Sequence, residues 1–237
     1  MSLPTLSTPK YQLTLPSTRQ TISYRPFTVR EEKNLLIAMQ SNNKNDHIGT
    51  VVNVISSCVD DEISVEDLTM NDIEYLMVKL RTTSVGESVT MKATCEECES
   101  TQAVEIDLTD FYVKGDSKDG DRIHLADNIG LIMQLPRLRT TRKFAAMAEG
   151  KMKIDDQFAV IETAIAGVYD DRQTYRLRDQ DPEENKRFIE SMTTEHLELI
   201  TNWISDAPRM CKDVTWTCNE CGHENKIVVE GLSDFFT

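Results

Sequence analysis

The sequence lacks the segments that would direct it into a membrane or out of the cell. Its 237 residues contain no apolar run of about 18 residues, the length that a membrane-spanning helix needs. Residues 1–5 have neither the basic nor the apolar region of a signal peptide. We therefore expect a protein that is made in the cytosol and keeps its cysteines reduced.

The sequence also lacks the motifs of the common enzyme classes. It has no HExxH, GxSxG, Walker or Rossmann pattern. Adjacent acids such as Asp60-Asp61 and Asp170-Asp171 are typical of solvated turns. The histidines are scattered over predicted helices, a strand and a hairpin tip: His47, His124, His196 and His223. We predict that the chain is not an enzyme, with no catalytic residues, no organic cofactor and no small-molecule substrate.

Positive charge is scarce. The chain has 26 Lys and Arg against 40 Asp and Glu, a net charge of −14. Such a balance disfavours nonspecific binding to DNA or anionic lipid and favours solubility or a basic partner. The only dense basic segment, residues 137–143, has no interleaved aromatic residues. It is typical of a helix start with a solvated face, although a docking patch for an acidic partner is the alternative.

Hydrophobic periodicity predicts an α+β fold. Alternation over residues 11–27 indicates an N-terminal β-hairpin arm, and Thr28 with Glu31 forms a capping box for a first helix. Further helices are expected at 47–59, 71–81 and 156–168, after Asp181, and after a cap at Thr194. These helices suggest a compact bundle.

The predicted segments divide the chain into parts that we expect to form one compact domain. The parts are an arm and hairpin at 1–28, a helical segment at 29–85, a first cysteine hairpin with following strands at 86–135, a helical insertion at 136–208 and a second cysteine hairpin at 209–237.

Two short stretches look like copies of each other. Each reads Thr-Cys-x-x-Cys, at residues 94–98 and 217–221, and is followed by polar turn residues and a β-rich run. Each then ends in a related phrase, at residues 108–111 and 232–235, and the two spacings differ by one residue. A Cys-x-x-Cys at a hairpin tip supplies two ligands of a tetrahedral metal site, so two hairpins complete the set.

We therefore predict a split zinc ribbon with four ligands, which are Cys95, Cys98, Cys218 and Cys221. Four thiolates leave no open position for water or substrate, so the zinc is expected to be structural. His223 is a fallback ligand, Cys211 a bystander and Cys58 a small buried apolar residue. The alternatives are two redox dithiols or a disulfide pair, although thioredoxin-like chemistry needs a βαβ setting that the hairpins lack.

The opening phrases give a further indication. Residues 11–17 read YQLTLPS, residues 22–27 read ISYRPF and residues 31–36 read EEKNLL. Together with the two Cys-x-x-Cys hairpins, they resemble the baseplate protein family of T-even-like myophages, among them baseplate hub subunits and hub assembly proteins. The resemblance covers most of the chain.

The resemblance implies a late phage product that helps to build the hub of a contractile-tail baseplate. Its partners would be other tail and hub proteins, and its location would be the host cytoplasm during assembly or the virion tail baseplate. The alternative function is a zinc-ribbon regulatory or nucleic-acid-binding adaptor. That alternative predicts a basic face near the zinc, whereas the residues around the cysteines include five glutamates: Glu96, Glu97, Glu99, Glu220 and Glu224.

Overall fold

A computed structural model describes residues 6–40, 44–61, 63–140 and 154–230. The chain divides into two compact units, the first formed by Met1–Val113 with Arg209–Thr237 and the second by Lys114–Pro208. The second unit is thus inserted into the sequence of the first.

Six helices and eleven strands can be given bounds. The strands are β1 (Tyr11–Thr14), β2 (Thr21–Tyr24), β3 (Ser88–Thr94), β4 (Thr101–Asp107), β5 (Tyr112–Lys114), β6 (Arg122–Ala126), β7 (Ile129–Met133), β8 (Ile165–Tyr169), β9 (Thr174–Arg176), β10 (Arg209–Thr217) and β11 (Glu224–Glu230). The helices are α1 (Val29–Met39), α2 (Lys44–Cys58), α3 (Met70–Ser84), α4 (Ile154–Thr163), α5 (Pro182–Glu190) and α6 (Thr194–Ser205).

The mixed helix and strand composition confirms the predicted α+β class. The first unit opens with the predicted hairpin, in which β1 and β2 pair antiparallel. Helix α1 follows with its capping box, because the Glu31 carboxylate accepts the backbone N–H of Thr28 at 2.7 Å. A second capping box, formed by Thr69 and Asp72, starts α3. Cys58 ends α2 fully buried, as predicted, and burial raises the pKa of its thiol to about 11.

The core of the first unit lies between the two cysteine hairpins and α3. Strands β3 and β4 form a two-stranded sheet, while β11, β10 and β5 form a three-stranded one. The inward residues of both hairpins share one apolar cluster with Val78 of α3, and its buried members on the strands are Ala93, Val104, Ile106, Met210, Val214, Trp216 and Val229. Alternation along each strand therefore gives both hairpins a buried face.

The second unit is built on a four-stranded antiparallel sheet in the order β6-β7-β8-β9. Its core contains Leu131 and Met133 of β7, Ile165 of β8, Ile189 of α5 and Ile200 of α6. Strands β6 and β7 lie on either side of Asp127-Asn128, and helix α5 begins at the predicted cap Asp181.

The structure corrects two predictions in this unit. The helix expected at 156–168 ends at Thr163, and β8 follows, so the segment 136–208 is not purely helical. Ile165 and Val168 fit a helical spacing. In the structure, however, the buried residues are Ile165 and Gly167, two positions apart as in a strand, and both pair with β7. The cap of α6 is Thr193 rather than Thr194, because its hydroxyl accepts the His196 N–H.

Candidate metal centre

The four predicted cysteines lie together. Residues 95–100, the first cysteine turn, join β3 to β4, and residues 218–223, the second cysteine turn, join β10 to β11. One ligand atom from each of Cys95, Cys98, Cys218 and Cys221 lies within 4.8 Å of all the others. Residues separated by more than a hundred positions in sequence thus form one cluster.

The spacing of the sulfur atoms suits one tetrahedral ion. The Sγ atoms of Cys95 and Cys221 are 3.7 Å apart, and those of Cys98 and Cys218 are 3.6 Å apart. Zinc–sulfur bonds of about 2.3 Å give a regular tetrahedron an edge of about 3.8 Å. A disulfide needs a sulfur–sulfur distance of about 2.0 Å, and all six cysteines are free thiols.

Both turns have the same backbone. In the first, the Cys95 N–H donates to the Ser100 carbonyl at 2.8 Å and the Glu99 N–H donates to the Cys95 carbonyl at 3.0 Å. In the second, the corresponding Cys218–His223 and Gly222–Cys218 distances are 2.8 and 2.9 Å. Glu99 and Gly222 both adopt left-handed conformations, with φ of 58° and 74°. Sequence repetition in the two hairpins therefore reflects repeated geometry.

Burial follows the same pattern in each turn. The first cysteine of each pair, Cys95 or Cys218, is 2% exposed, whereas the second, Cys98 or Cys221, is exposed. One side of the cluster faces the apolar core and the other faces solvent.

Hydrogen bonds favour the thiolate at the two buried cysteines. The Ser100 hydroxyl, 3.2 Å from the Cys218 sulfur, lowers the pKa of Cys218 to about 6, with help from the Cys221 N–H. The backbone N–H of Cys98 and then that of Glu97 lower the pKa of Cys95. Thiolates are the form of cysteine that binds metal.

Crowding has the opposite effect on Cys221. The His223 N–H favours its thiolate, but contacts with the neighbouring sulfurs and burial outweigh that bond and raise the pKa of Cys221 to about 12. A divalent cation would offset the negative charge that four clustered thiolates carry. Metal binding at such a site would therefore release protons.

The structure places the other candidate residues outside the cluster. His223 contributes its carbonyl to the second cysteine turn, and Cys211 lies buried in β10. The five glutamates around the cysteines are all exposed and form an acidic rim. The basic segment 137–143 extends outside the described residues, but its first member, Arg137, pairs with Asp119.

The acidic loop at residues 114–121 uses its carboxylates within the protein. Asp119 accepts the Leu135 N–H at 2.7 Å, and Asp121 accepts the Trp203 indole N–H at 2.9 Å. The loop is thus a polar connection whose carboxylates accept hydrogen bonds from the second unit.

Two side chains that contact the sulfurs are not predicted by the cysteine motif. Ser100 lies 3.1 Å from the Cys98 sulfur and 3.2 Å from that of Cys218, and the Asn225 amide donates to the Cys95 sulfur at 3.5 Å. Their positions two and four residues after a Cys-x-x-Cys are the only sequence signal for them.

The fold and the site together define an α+β protein in which two hairpins that share a cysteine cluster precede and follow the inserted unit in sequence. The chain belongs to the T4 bacteriophage base plate protein family, whose model matches residues 8–237. No curated protein and no solved structure matched the chain. The resemblance seen in the opening phrases and cysteine hairpins is thus confirmed at the level of the family.

Family membership indicates a structural phage component that interacts with other baseplate proteins, located in the tail baseplate of the virion. Such a role is non-enzymatic. Among the described residues, no helix is both long and apolar enough to span a bilayer.

Proposed function

We propose that the chain is a non-enzymatic structural or assembly component of the baseplate hub of a contractile-tail phage, and that one zinc ion clasps its two cysteine hairpins. The zinc ligands are Cys95, Cys98, Cys218 and Cys221. The partners are other hub and tail proteins, met in the host cytoplasm during assembly.

One observation carries the metal part of the proposal, namely four cysteine sulfurs within 4.8 Å of one another. Zinc accepts four thiolates without a preferred d-electron geometry, and a closed set of this kind is structural. The ion would hold residues 209–230 against residues 88–107 and so stabilise the first unit.

The acidic rim supports a protein partner over nucleic acid. Glutamates on both cysteine turns would repel phosphates, and the whole chain carries a net charge of −14. The described residues of the two cysteine turns thus do not form the cationic face near the zinc that the adaptor alternative predicts.

Metal analysis tests the zinc. We expect one zinc per chain in carefully purified protein, and its loss in Cys95→Ser and in Cys218→Ser. Cys58→Ala, which changes a buried cysteine outside the cluster, should retain the metal. Thiol titration of the native protein should find these four cysteines unreactive until a chelator removes the metal. Four reactive thiols and no metal would instead support the redox alternative.

Electron microscopy of a phage that lacks this chain tests the hub role. We expect central hub structures to be missing and to return when the chain is supplied in trans. Normal hubs combined with a defect elsewhere in the baseplate would contradict the hub assignment but leave the family assignment intact.

A further inference from the structure

An amide side chain occupies the same position in each cysteine hairpin. Gln102 lies four residues after Cys98, and Asn225 lies four residues after Cys221. Both follow their turn on the return strand, where Gln102 pairs with Ala93 and Asn225 pairs with Trp216. The two amides are therefore equivalent in register.

Asn225 reaches across to the first cysteine turn. Its side-chain oxygen accepts the backbone N–H of Glu96 at 3.0 Å. Its NH₂ group donates to the Cys95 sulfur at 3.5 Å and to the His223 carbonyl at 3.1 Å. The residue is only 2% exposed, so these contacts satisfy a buried amide that would otherwise be costly.

Gln102 makes the reciprocal contact with the second cysteine turn. Its side-chain oxygen accepts the backbone N–H of Asn219 at 2.8 Å, and its NH₂ group donates to the Thr217 carbonyl at 3.1 Å. Glu96 and Asn219 each directly follow the first cysteine of their turn. Each hairpin thus holds the same backbone group of the other hairpin.

The chemistry of an amide explains why these residue types serve here. Each contact needs an acceptor for a backbone N–H and, on the same planar group, a donor for a carbonyl or a sulfur. The longer Gln102 side chain donates to the carbonyl of Thr217, the residue before Cys218. The shorter Asn225 side chain donates to the Cys95 sulfur itself. Of the two amides, only Asn225 therefore contacts a candidate ligand atom directly.

We infer that Gln102 and Asn225 are reciprocal positioning residues, an amide lock that holds the two cysteine turns face to face in the arrangement that a tetrahedral metal needs. The lock acts on the backbone of each turn, so it operates with or without the ion. Its effect on metal affinity rests on the proposed zinc site. Partners that orient metal ligands commonly change affinity about 10- to 100-fold when removed.

The test uses near-isosteric variants of the full-length chain. We expect Asn225→Leu to raise the zinc dissociation constant about 10- to 100-fold in a chelator competition, because it removes both a turn contact and a sulfur contact. Gln102→Met should raise it less, within about 10-fold, because Gln102 is half-buried and touches no sulfur. Gln12→Met, an exposed amide on β1, should leave it unchanged.

Amide hydrogen exchange, measured residue by residue by NMR in the metal-free chain, tests the lock independently of zinc. Asn225→Leu should accelerate exchange at Glu96, and Gln102→Met should accelerate exchange at Asn219. This crossed pattern would support the lock even if wild type bound no zinc, in which case the proposed function alone would fail. Unchanged exchange at both amides would overturn the lock, whether or not zinc binds.

A conservative variant covers the case in which Asn225→Leu does not fold. Asn225→Asp keeps an acceptor for the Glu96 N–H but loses the donor to sulfur. We expect slow exchange at Glu96 together with weaker zinc binding and an altered cobalt–thiolate absorption. Fast exchange at Glu96 in this variant would contradict the assigned hydrogen bond.

Discussion

The N-terminal hairpin and the two cysteine hairpins use one turn with different side chains. In the N-terminal turn, residues 15–20, the Leu15 N–H donates to the Gln20 carbonyl at 2.9 Å and the Arg19 N–H donates to the Leu15 carbonyl at 3.0 Å. Arg19 is left-handed, with φ of 60°, as are Glu99 and Gly222 at the same turn position. Leu15 and Thr18 stand where the cysteine turns have their first and second cysteines.

The difference lies in what fastens each turn. The N-terminal turn is held by a carboxylate, since Asp72 of α3 accepts the backbone N–H of Ser17 at 3.0 Å and also its hydroxyl. The cysteine turns are held by each other, through amides and the sulfur cluster. The backbone turn is therefore a framework, and its side chains determine whether a carboxylate of another element or the facing hairpin holds it in place.

Removing the metal should produce the largest contrast between these turns. We expect chelation to lower the free energy of unfolding by on the order of 5 kcal/mol, less than in zinc-finger peptides because an apolar core also holds the hairpins. Hydrogen exchange should rise at the cysteine turns but not at the N-terminal turn. A Cys95→Ser, Cys218→Ser double variant should not respond to the chelator, and equal loosening of all three turns would contradict the comparison.

Removing the carboxylate should give the converse result. Asp72 is fully buried, and its side chain binds Ser17 and the N-cap Thr69. We expect Asp72→Ala to destabilise the protein by about 2–4 kcal/mol in urea, because it leaves several buried donors unpaired. Zinc content should not change. Glu105→Ala, at an exposed site on β4, serves as the control and should have little effect on stability. Loss of zinc from Asp72→Ala would show that the N-terminal turn and the cysteine turns are not held independently.

Local signals in the sequence predict much of this architecture. Alternating residues indicate the hairpins, and the Thr28–Glu31 and Thr69–Asp72 spacings mark helix starts because capping involves neighbours in sequence. The cysteine pairs likewise predict which residues meet, since a closed tetrahedral site requires two pairs.

Other features depend on contacts between distant residues and so leave little local signal. Strand β8 fits a helical spacing as well as a strand spacing, and its pairing with β7 decides the outcome. The amide contacts of Asn225 and Gln102 arise only when the hairpins face each other. The shared turn at residues 15–20 escapes a search for cysteines because Leu15 and Thr18 carry no metal-binding signature.

Acid should loosen the region of the N-terminal hairpin through Glu31. Burial of this side chain opposes its ionisation, but bonds from Thr28 and the ion pair with Arg25, at 3.1 Å, outweigh that effect and lower the pKa of Glu31 from 4.5 to about 2. Because the pKa is lower in the folded state, the ionised carboxylate stabilises the protein above pH 4.5. This stabilisation is lost as the pH falls towards 2.

We expect Glu31→Gln to cost about 2 kcal/mol near neutral pH and almost nothing near pH 2. Urea unfolding of the metal-free chain at a series of pH values measures this, since removal of the ion excludes acid release of zinc as a cause. The exposed-site variant Glu105→Gln should follow the wild-type pH profile. A constant deficit in Glu31→Gln at every pH would show that lost packing, rather than lost charge, is responsible.

The smallest expected effects come from the left-handed position that the three turns share. A side chain built at Gly222 would meet no atom within 4 Å, so Gly222→Ala tests conformational strain alone. We expect it to cost about 1 kcal/mol, because residues with a Cβ avoid positive φ. In Arg19→Gly and Glu99→Gly, relief of strain is offset by a more flexible unfolded chain, so their changes should stay within about 0.5 kcal/mol. Thermal or urea unfolding of the metal-free proteins measures the difference in stability between these variants. A Gly222→Ala variant as stable as the wild type would show that the second cysteine turn adopts another conformation in solution.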